Sequence, residues 1–281
     1  MIVPYLILFF IFTVFPVCKS IYYSFTDYNV FQAEVFVGTT NYLKLFLKDA
    51  TFLISIRNTM VFAVITGPVS YILCLMLAWL INDLGRKVRM FFTIVFYAPA
   101  ISGAAVTIFT YVFAADNYGL VNSILMQLGF IAEPMQWFKD PRYVLMTIII
   151  VTLWTSLGIS FLAFIAGLQS VDTALYEAGA VEGVRNRWQE LWFITLPSMK
   201  SQLMFGAIMQ ITAAFSVADI TSLLAGFPSV EYAAHTIVNH LQDHGMIRFD
   251  FGYASAIATV LFVLMVGCNT LVQKLLSKVG N

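Results

Sequence analysis

Charged side chains are scarce in this sequence of 281 residues. Asp, Glu, Lys and Arg together make up 11% of it, whereas 60% of it is hydrophobic. Soluble domains are roughly one quarter charged and roughly one half apolar. The shortage of charge excludes an ordinary soluble domain, and apolar runs of membrane-spanning length indicate an integral membrane protein. The 15 basic residues balance the 15 acidic residues and form no basic block, so nucleic acid is not expected as a partner.

Cysteines and nucleotide-binding motifs are also in short supply. The three cysteines, Cys18, Cys74 and Cys268, lie within apolar runs and lack the spacing of metal ligands, so no disulfide framework is expected. The sequence contains no G-x-x-x-x-G-K-[ST] motif, which excludes a phosphate-binding loop of that type. It also lacks the Ser, His and Asp cluster typical of a nucleophilic enzyme. We therefore predict no catalytic residue and no cofactor bound by this chain.

Six apolar runs are long enough to cross a hydrocarbon core of about 30 Å as helices. They lie near residues 2–24, 57–82, 90–114, 143–168, 201–223 and 252–275. Pro99, inside the third run, predicts a kink there. No repeat and no low-complexity linker divides the chain, so the sequence predicts one all-α membrane domain over residues 1–281.

One polar segment, residues 170–200, separates the fourth run from the fifth. Asp172 and Thr173 are N-cap residue types, and the next ten positions contain no proline. This pattern predicts a short helix that projects from the bilayer and ends at Gly183. The small residues at positions 178–180 would allow another protein to approach this helix closely.

The polar segment is similar to the cytoplasmic signature of permeases of binding-protein-dependent ABC importers. That signature is E-A-A, then glycine, then I-x-L-P. The matching residues here are Glu177-Ala178-Gly179, Gly183 and Ile194-Thr195-Leu196-Pro197. Gly179 stands where the family has alanine, and Glu182 precedes Gly183 where the family often has aspartate. F-V-G at 36–38 and G-Y-A-S-A at 252–256 also resemble the maltose-type, carbohydrate-uptake branch.

The resemblance implies six transmembrane helices with a cytoplasmic coupling helix between the fourth and the fifth. It implies a second permease subunit, with a homologous heterodimer expected and a second copy of this chain as the alternative, and two ATPase subunits that bind ATP and Mg²⁺. An extracytoplasmic solute-binding protein, meeting the loops at 25–56 and 224–250, would deliver a sugar or oligosaccharide. The residues it assigns to ATPase coupling are Glu177, Ala178, Gly179, Gly183, Ile194, Leu196 and Pro197. No physical reason for Gly179 is apparent from the sequence, since glycine in a helix costs about 1 kcal/mol relative to alanine.

The resemblance also implies a bacterial cell membrane with both chain termini on the cytoplasmic side. The distribution of Lys and Arg favours the same orientation, because the basic residues of the inner segments occupy less chain than those of the outer segments. The inner set is Arg86, Lys87, Arg89, Arg185, Arg187, Lys200, Lys274 and Lys278. The outer set is Lys19, Lys44, Lys48, Arg57, Lys139, Arg142 and Arg248.

Polar side chains within the fourth and fifth runs are the candidates for the substrate pathway. In maltose-type permeases the substrate site lies mid-membrane on the helices that flank the signature loop, and sugar recognition uses amides, hydroxyls and an aromatic platform. The candidates are Thr152, Trp154, Thr155, Ser156, Gln210, Thr212, Ser216 and Asp219. Hydrogen bonds between neighbouring helices are the alternative role for these side chains. For Asp219, helix capping or a salt bridge is the alternative.

Three other functions are alternatives for this sequence. A non-sugar solute would keep the same transporter and change only its cargo. An ion-driven secondary transporter would need intramembrane carboxylates, for which Asp219 is the candidate. A membrane-embedded enzyme would need a nucleophile or His/Asp cluster at one depth, and none is apparent.

Three histidines, His235, His240 and His244, lie in the last outer loop. A helix would place His240 and His244 on one face, as a possible pair of metal ligands. No further ligand is evident in the sequence, so an ordinary polar loop surface is favoured and no metal site is predicted.

Overall fold

The computed structural model describes residues 2–277, without the side chains at positions 104 and 105. Met1 and residues 278–281 of the predicted domain, Lys278 among them, lie outside the described residues. Within residues 2–277, five helices are long and apolar enough to cross a membrane. They are Val3–Tyr23, Ala50–Asn82, Val144–Ser170, Lys200–Ala225 and Phe251–Leu276. We call them spans 1, 2, 4, 5 and 6, because an interrupted helical segment occupies the third position.

Span 3 corrects the prediction of one continuous run at 90–114. It consists of Arg86–Ile101, a 3₁₀ turn at Gly103–Thr107 and a short helix at Ile108–Val112. Pro99 cannot donate a hydrogen bond to the preceding turn, and the first helix ends three residues later at the extended residue Ser102. The predicted kink is therefore a break.

Two further spans are broken where the sequence predicted continuous helices. Span 4 is divided into Val144–Thr155 and Ile159–Ser170, and span 5 into Lys200–Phe215 and Asp219–Ala225. Span 2 begins at Ala50 and not at the predicted residue 57. The Asp49 carboxylate accepts a hydrogen bond from the Phe52 amide (2.9 Å), which caps the helix at the earlier position.

Short elements connect the spans. Two short strands of two residues each, Thr26–Asp27 and Val35–Phe36, pair in antiparallel orientation. The short helices are Thr40–Leu47, Leu120–Gln127, Thr173–Val181, Arg187–Glu190, Leu196–Ser198 and Ile237–Gln242, with a 3₁₀ turn at Val230–Tyr232. Turns of π-helix lie at Phe10–Val14, Leu191–Thr195 and Asp243–Ile247.

Spans 2, 4 and 5 form the packed centre of the chain. Phe161 and Phe164 of span 4 are fully buried in a cluster with Cys74 of span 2 and Leu203 of span 5. Gly206 allows the close approach of spans 4 and 5, because a Cβ atom there would lie 2.5 Å from the Phe164 ring. Span 6 packs against span 5 and against the second half of span 1. The apolar window of span 1 nevertheless has no residue that the described part of the chain buries.

Helix ends meet at each of the two ends of the bundle of spans, which we call its two faces. Lys200, at the start of span 5, donates a hydrogen bond to the Ser277 carbonyl beyond span 6 (2.7 Å). At the other face, Asp49 before span 2 accepts a hydrogen bond from Tyr253 at the start of span 6 (2.7 Å). The polar segment 170–200 lies at the first face, and the histidines lie at the second.

Candidate functional site

The helix at Thr173–Val181 forms where the sequence predicted it, because both of its ends are capped locally. The Asp172 carboxylate accepts a hydrogen bond from the Ala174 amide (3.0 Å). Gly183 adopts φ +100°, and the Val184 amide then reaches back to the Gly179 carbonyl (2.9 Å). This is the Schellman arrangement, in which a left-handed glycine ends a helix and satisfies its last carbonyls.

Gly179 faces the interior of the segment and not the outer surface on which the sequence analysis placed it. It is buried, and a Cβ atom at this position would lie 2.5 Å from the δ-methyl of Ile194. The I-x-L-P part of the segment therefore occupies the space that the usual alanine would fill. Glycine accommodates this contact as it stands, whereas alanine would require the flexible δ-methyl to turn away.

A second contact joins the 173–181 helix to the start of span 5. The Tyr176 hydroxyl lies 3.0 Å from the Thr195 hydroxyl, which also donates to the Glu190 carbonyl (3.2 Å). Thr195 ends a π-helical turn that continues directly into Leu196–Ser198, where Leu196 is buried and Pro197 occupies the first turn. The inward face of the short helix is thus packed onto the residues that lead into span 5.

The opposite face of the 173–181 helix is open. Glu177 and Ala178 are exposed, as are Leu175 (45%) and Val181 (89%). Within the described part of the chain, Glu177 takes part in no salt bridge. An apolar stripe beside an unpaired carboxylate can bind an apolar groove with a basic residue at its edge.

The residues after this helix contact the end of span 2. Arg187 forms a salt bridge with Asp83, and its guanidinium lies 4.7 Å from the centre of the Trp79 ring. Trp188 packs against Trp79 at 4.8 Å between ring centroids. The salt bridge is exposed and contributes little free energy. The salt bridge nevertheless places the polar segment 170–200 beside the connector that follows span 2, so these two predicted inner segments lie at one face.

The break in span 4 brings several pathway candidates together. The Ser156 carbonyl, at the broken turn, accepts hydrogen bonds from the Gly158 amide (2.8 Å) and from the Gln210 side chain of span 5 (3.4 Å). Gln210 is buried and also lies 3.3 Å from the Cys74 sulfur. Non-helical backbone at membrane depth needs such internal partners or a water-filled cavity. Gln210 therefore supports the broken turn.

The other candidates of span 4 surround the same turn. The hydroxyls of Thr155 and Ser156 donate to carbonyls one turn earlier in their own helix and remain half-buried. The Thr152 hydroxyl oxygen is buried and has no hydrogen-bond partner among the described residues. Trp154 is half exposed and packs edge-on against Phe109 of span 3.

The candidates of span 5 divide between its two helices. Thr212 donates to the Ile208 carbonyl within the first helix (2.8 Å). Ser216 and Asp219 are exposed at the break between the helices. Asp219 lies in the first turn of the second helix, where a carboxylate is favoured by the helix dipole.

The partners of the break in span 5 were missed by the sequence analysis. The Val217 carbonyl accepts from the Thr236 hydroxyl (2.7 Å), and the Ala218 carbonyl accepts from Thr221 (2.7 Å). Asn239 bonds the hydroxyls of both threonines and is buried. Thr236 and Asn239 form a capping box, a pattern visible in the sequence that could have located this helix.

The three histidines are buried, which corrects the expectation of a polar loop surface. His235, His240 and His244 are 3%, 2% and 6% exposed. The residues between spans 5 and 6 fold back against the start of span 2, where His240 lies 2.9 Å from the Asp49 carboxylate. Burial lowers the pKa of His235 and of His244 to about 4, so both rings are neutral at neutral pH.

Comparisons with known proteins identify the family to which this chain belongs. A family model described as "Binding-protein-dependent transport system inner membrane component" matches residues 70–279. The chain belongs to this family. It is a permease of the ABC-transporter type, as its polar segment predicted, and its all-α membrane architecture is the one expected.

Similar proteins cover almost the whole permease. The probable ABC transporter permease protein YesP of Bacillus subtilis (strain 168) is 31% identical over 275 residues, which cover 96% of this chain and 86% of that protein. The arabinooligosaccharides transport system permease protein AraP of the same organism is 29% identical, with 97% and 86% covered. A crystal structure of a bacterial ABC transporter involved in the import of alginate has a chain with the same fold (TM-score 0.77, 21% identity, 100% and 95% covered).

Proposed function

We propose that this permease translocates a sugar or an oligosaccharide across a bacterial cell membrane in an import cycle driven by ATP. The single observation that carries the proposal is the 173–181 helix, which is packed onto the start of span 5 on one face and open on the other. The carbohydrate cargo is supported by the similarity to an arabinooligosaccharide permease and by the shared fold of an alginate importer.

The proposed partners are those implied by the family of binding-protein-dependent importers. Two ATPase subunits would bind ATP and Mg²⁺. A solute-binding protein would deliver the cargo to the face that carries the histidines. A second, homologous permease subunit would cover the exposed apolar faces that the chain leaves open, among them span 1. Both termini would then lie in the cytoplasm, with the basic residues around Arg187 on that side.

The 173–181 helix would act as the coupling helix. Its open face, with Glu177 and Ala178, would bind the ATPase, and its inward face would transmit each movement to Ile194 and Thr195. Leu196 and Pro197 continue that path towards span 5, because the π-helical turn runs directly into the helix Leu196–Ser198 and only Met199 separates this helix from Lys200. A rigid contact of this kind allows ATP hydrolysis to favour one of two transport states over the other.

The substrate pathway would lie beside the broken turn of span 4. Thr155, Ser156 and Trp154 would offer hydroxyls and an aromatic face to a sugar, with Gln210 holding the turn in place. Thr212, Ser216 and Asp219 would continue the polar lining towards the outer face. The buried Thr152 hydroxyl has no hydrogen-bond partner within residues 2–277, and a bound hydroxyl group could satisfy it.

Replacing Glu177 with lysine tests the coupling role. We expect Glu177→Lys to abolish ATP-dependent uptake while the protein stays in the membrane, because a positive charge would face the basic site proposed on the ATPase. Glu133→Lys, the same charge change at an exposed position outside the segment, is the matched control and should retain uptake. Wild-type uptake by Glu177→Lys would refute the coupling role.

A further inference from the structure

Asp49, His240 and His244 meet at the face of the chain opposite the coupling helix. Each can offer one ligand atom, and the three atoms lie within 4.8 Å of one another. His240 and His244 lie one turn apart on a continuous helical stretch, residues 237–247, and their rings are 4.8 Å apart. Asp49 comes from the start of span 2, so two distant parts of the chain supply the cluster.

The two histidines are not satisfied by the surrounding protein. The Nδ1 atoms of His240 and His244 are both buried and have no hydrogen-bond partner among the described residues. The Asp250 carboxylate lies 3.9 Å from His244 Nδ1, which is beyond hydrogen-bond distance. A buried polar atom without a partner costs free energy, so His244 Nδ1 calls for a ligand, while His240 faces Asp49 through its other nitrogen, Nε2.

We propose that Asp49, His240 and His244 bind a divalent transition-metal ion of the Zn²⁺ type. Two imidazoles and one carboxylate are the donor set that Zn²⁺ accepts at catalytic and at exchangeable sites, with a fourth position left for water. Mg²⁺ and Ca²⁺ prefer oxygen donors throughout, and two nitrogens out of three disfavour them. The site does not depend on what the permease transports.

The protonation states suit metal binding. Neutral imidazole and ionised carboxylate are the forms that coordinate a metal. Burial of the His244 ring favours its neutral form. The Asp49 carboxylate accepts hydrogen bonds from the Tyr253 hydroxyl and from the Phe52 amide, which favour its ionised form.

The remaining contacts are compatible with the ion. Donors at about 2.1 Å from one tetrahedral ion lie about 3.4 Å apart. The His240 and Asp49 atoms, now 2.9 Å apart, would therefore separate slightly, and the more widely spaced atoms of the cluster would converge. The ion would replace the direct contact between His240 and Asp49, while the second Asp49 oxygen continues to cap span 2. Tyr253 would orient the carboxylate by its hydrogen bond, which is the usual role of an outer-shell partner.

Nearby positive charges do not block the site. Arg248 is neutralised by a salt bridge to Asp243 (2.6 Å), and the Lys44 ammonium lies over the Tyr253 ring at 4.4 Å. A groove of about 900 Å³, lined by His240, His244 and Asp49 among others, connects the cluster with the outside. An ion can therefore reach the site in the folded protein. Once bound, it would fasten the 237–247 stretch to the start of span 2.

The test uses the full-length chain in lipid nanodiscs after treatment with EDTA. Isothermal titration with Zn²⁺ should show one bound equivalent, and X-ray absorption should show nitrogen and oxygen ligands at about 2.0–2.2 Å. Zn²⁺ should raise the unfolding midpoint of the wild type, because a ligand that binds only the folded state stabilises it.

His244→Gln and Asp49→Asn should each lose this binding by at least tenfold, and asparagine at position 49 still provides an N-cap. His235→Gln is the matched control: His235 is also buried and lies 5.8 Å from His240 between ring centroids, but it is not one of the three ligands. It should bind Zn²⁺ as the wild type does. The absence of a bound equivalent in the wild type would overturn the proposal, as would unchanged affinity in His244→Gln.

Discussion

Replacing Gly179 with valine should separate the coupling helix from the start of span 5 and reduce ATP-dependent uptake. Even the Cβ atom would lie 2.5 Å from the Ile194 δ-methyl and 3.5 Å from a Val184 methyl. Alanine is tolerable, because the δ-methyl is the far end of a side chain that can turn away, and the gain in helix propensity of about 1 kcal/mol offsets that shift. Valine adds two more carbon atoms, for which the contact has no space.

The expected size of the effect comes from overpacking. Forcing extra methyl groups into a packed contact costs about 1–3 kcal/mol, which corresponds to about 5- to 150-fold in the equilibrium between the docked and the displaced helix. Uptake by proteoliposomes that contain the assembled transporter should fall by a factor in this range. Gly179→Ala should stay within about threefold of the wild type, since the opposing effects nearly cancel.

A compensating substitution makes the test specific. Ile194→Ala removes three carbon atoms, the number that Gly179→Val adds, so the double variant conserves the volume of the contact. The double variant should recover much of the uptake lost by Gly179→Val, with a coupling free energy of about 1–3 kcal/mol in the double-mutant cycle. Wild-type uptake by Gly179→Val, or purely additive effects in the cycle, would refute the contact as the means of transmission.

Three further substitutions test the end of the coupling helix and the breaks in spans 4 and 5. Gly183→Ala places a side chain at φ +100° and should cost about 1–2 kcal/mol, seen as faster proteolysis after Arg185 and lower uptake. Asn239→Ala leaves the buried Thr236 amide without its acceptor and removes the hydrogen bonds to the Thr221 and Thr236 hydroxyls; it should destabilise the chain by about 1–3 kcal/mol in a thermal unfolding assay, whereas Asn117→Ala in an exposed turn should not. Gln210→Leu removes the donor to the Ser156 carbonyl and should lower the unfolding midpoint; an unchanged midpoint would contradict its support of the broken turn.

The local features of the fold were accessible from the sequence. Asp172 and Gly183 mark the ends of the coupling helix because capping depends only on residues within one turn. The positions of the spans follow from hydropathy, since backbone groups in lipid must be bonded within the helix. Pro99 predicted a distortion in span 3, although the break lies at Ser102 and is more complete than a kink.

The features that depend on distant contacts were not accessible. The breaks in spans 4 and 5 lie at residues 156–158 and 216–218, where a serine or a glycine within an apolar run is only a weak local signal, and their carbonyls are satisfied by Gln210 and Thr236 from other segments. The role of Gly179 depends on Ile194, which packs onto it only after the segment has folded. His240 and Asp49 are 191 residues apart, so neither the burial of the histidine nor its carboxylate partner has a local signal.

We propose that ATP, acting through the coupling helix, drives uptake by this permease. The most direct measurement is oligosaccharide uptake by proteoliposomes that contain the assembled transporter, with ATP present or absent on the side of the coupling helix and with the solute-binding protein on the other. The proposed coupling predicts uptake that requires ATP and persists when an uncoupler collapses the ion gradients. Uptake that proceeds without ATP and stops with the uncoupler would contradict it.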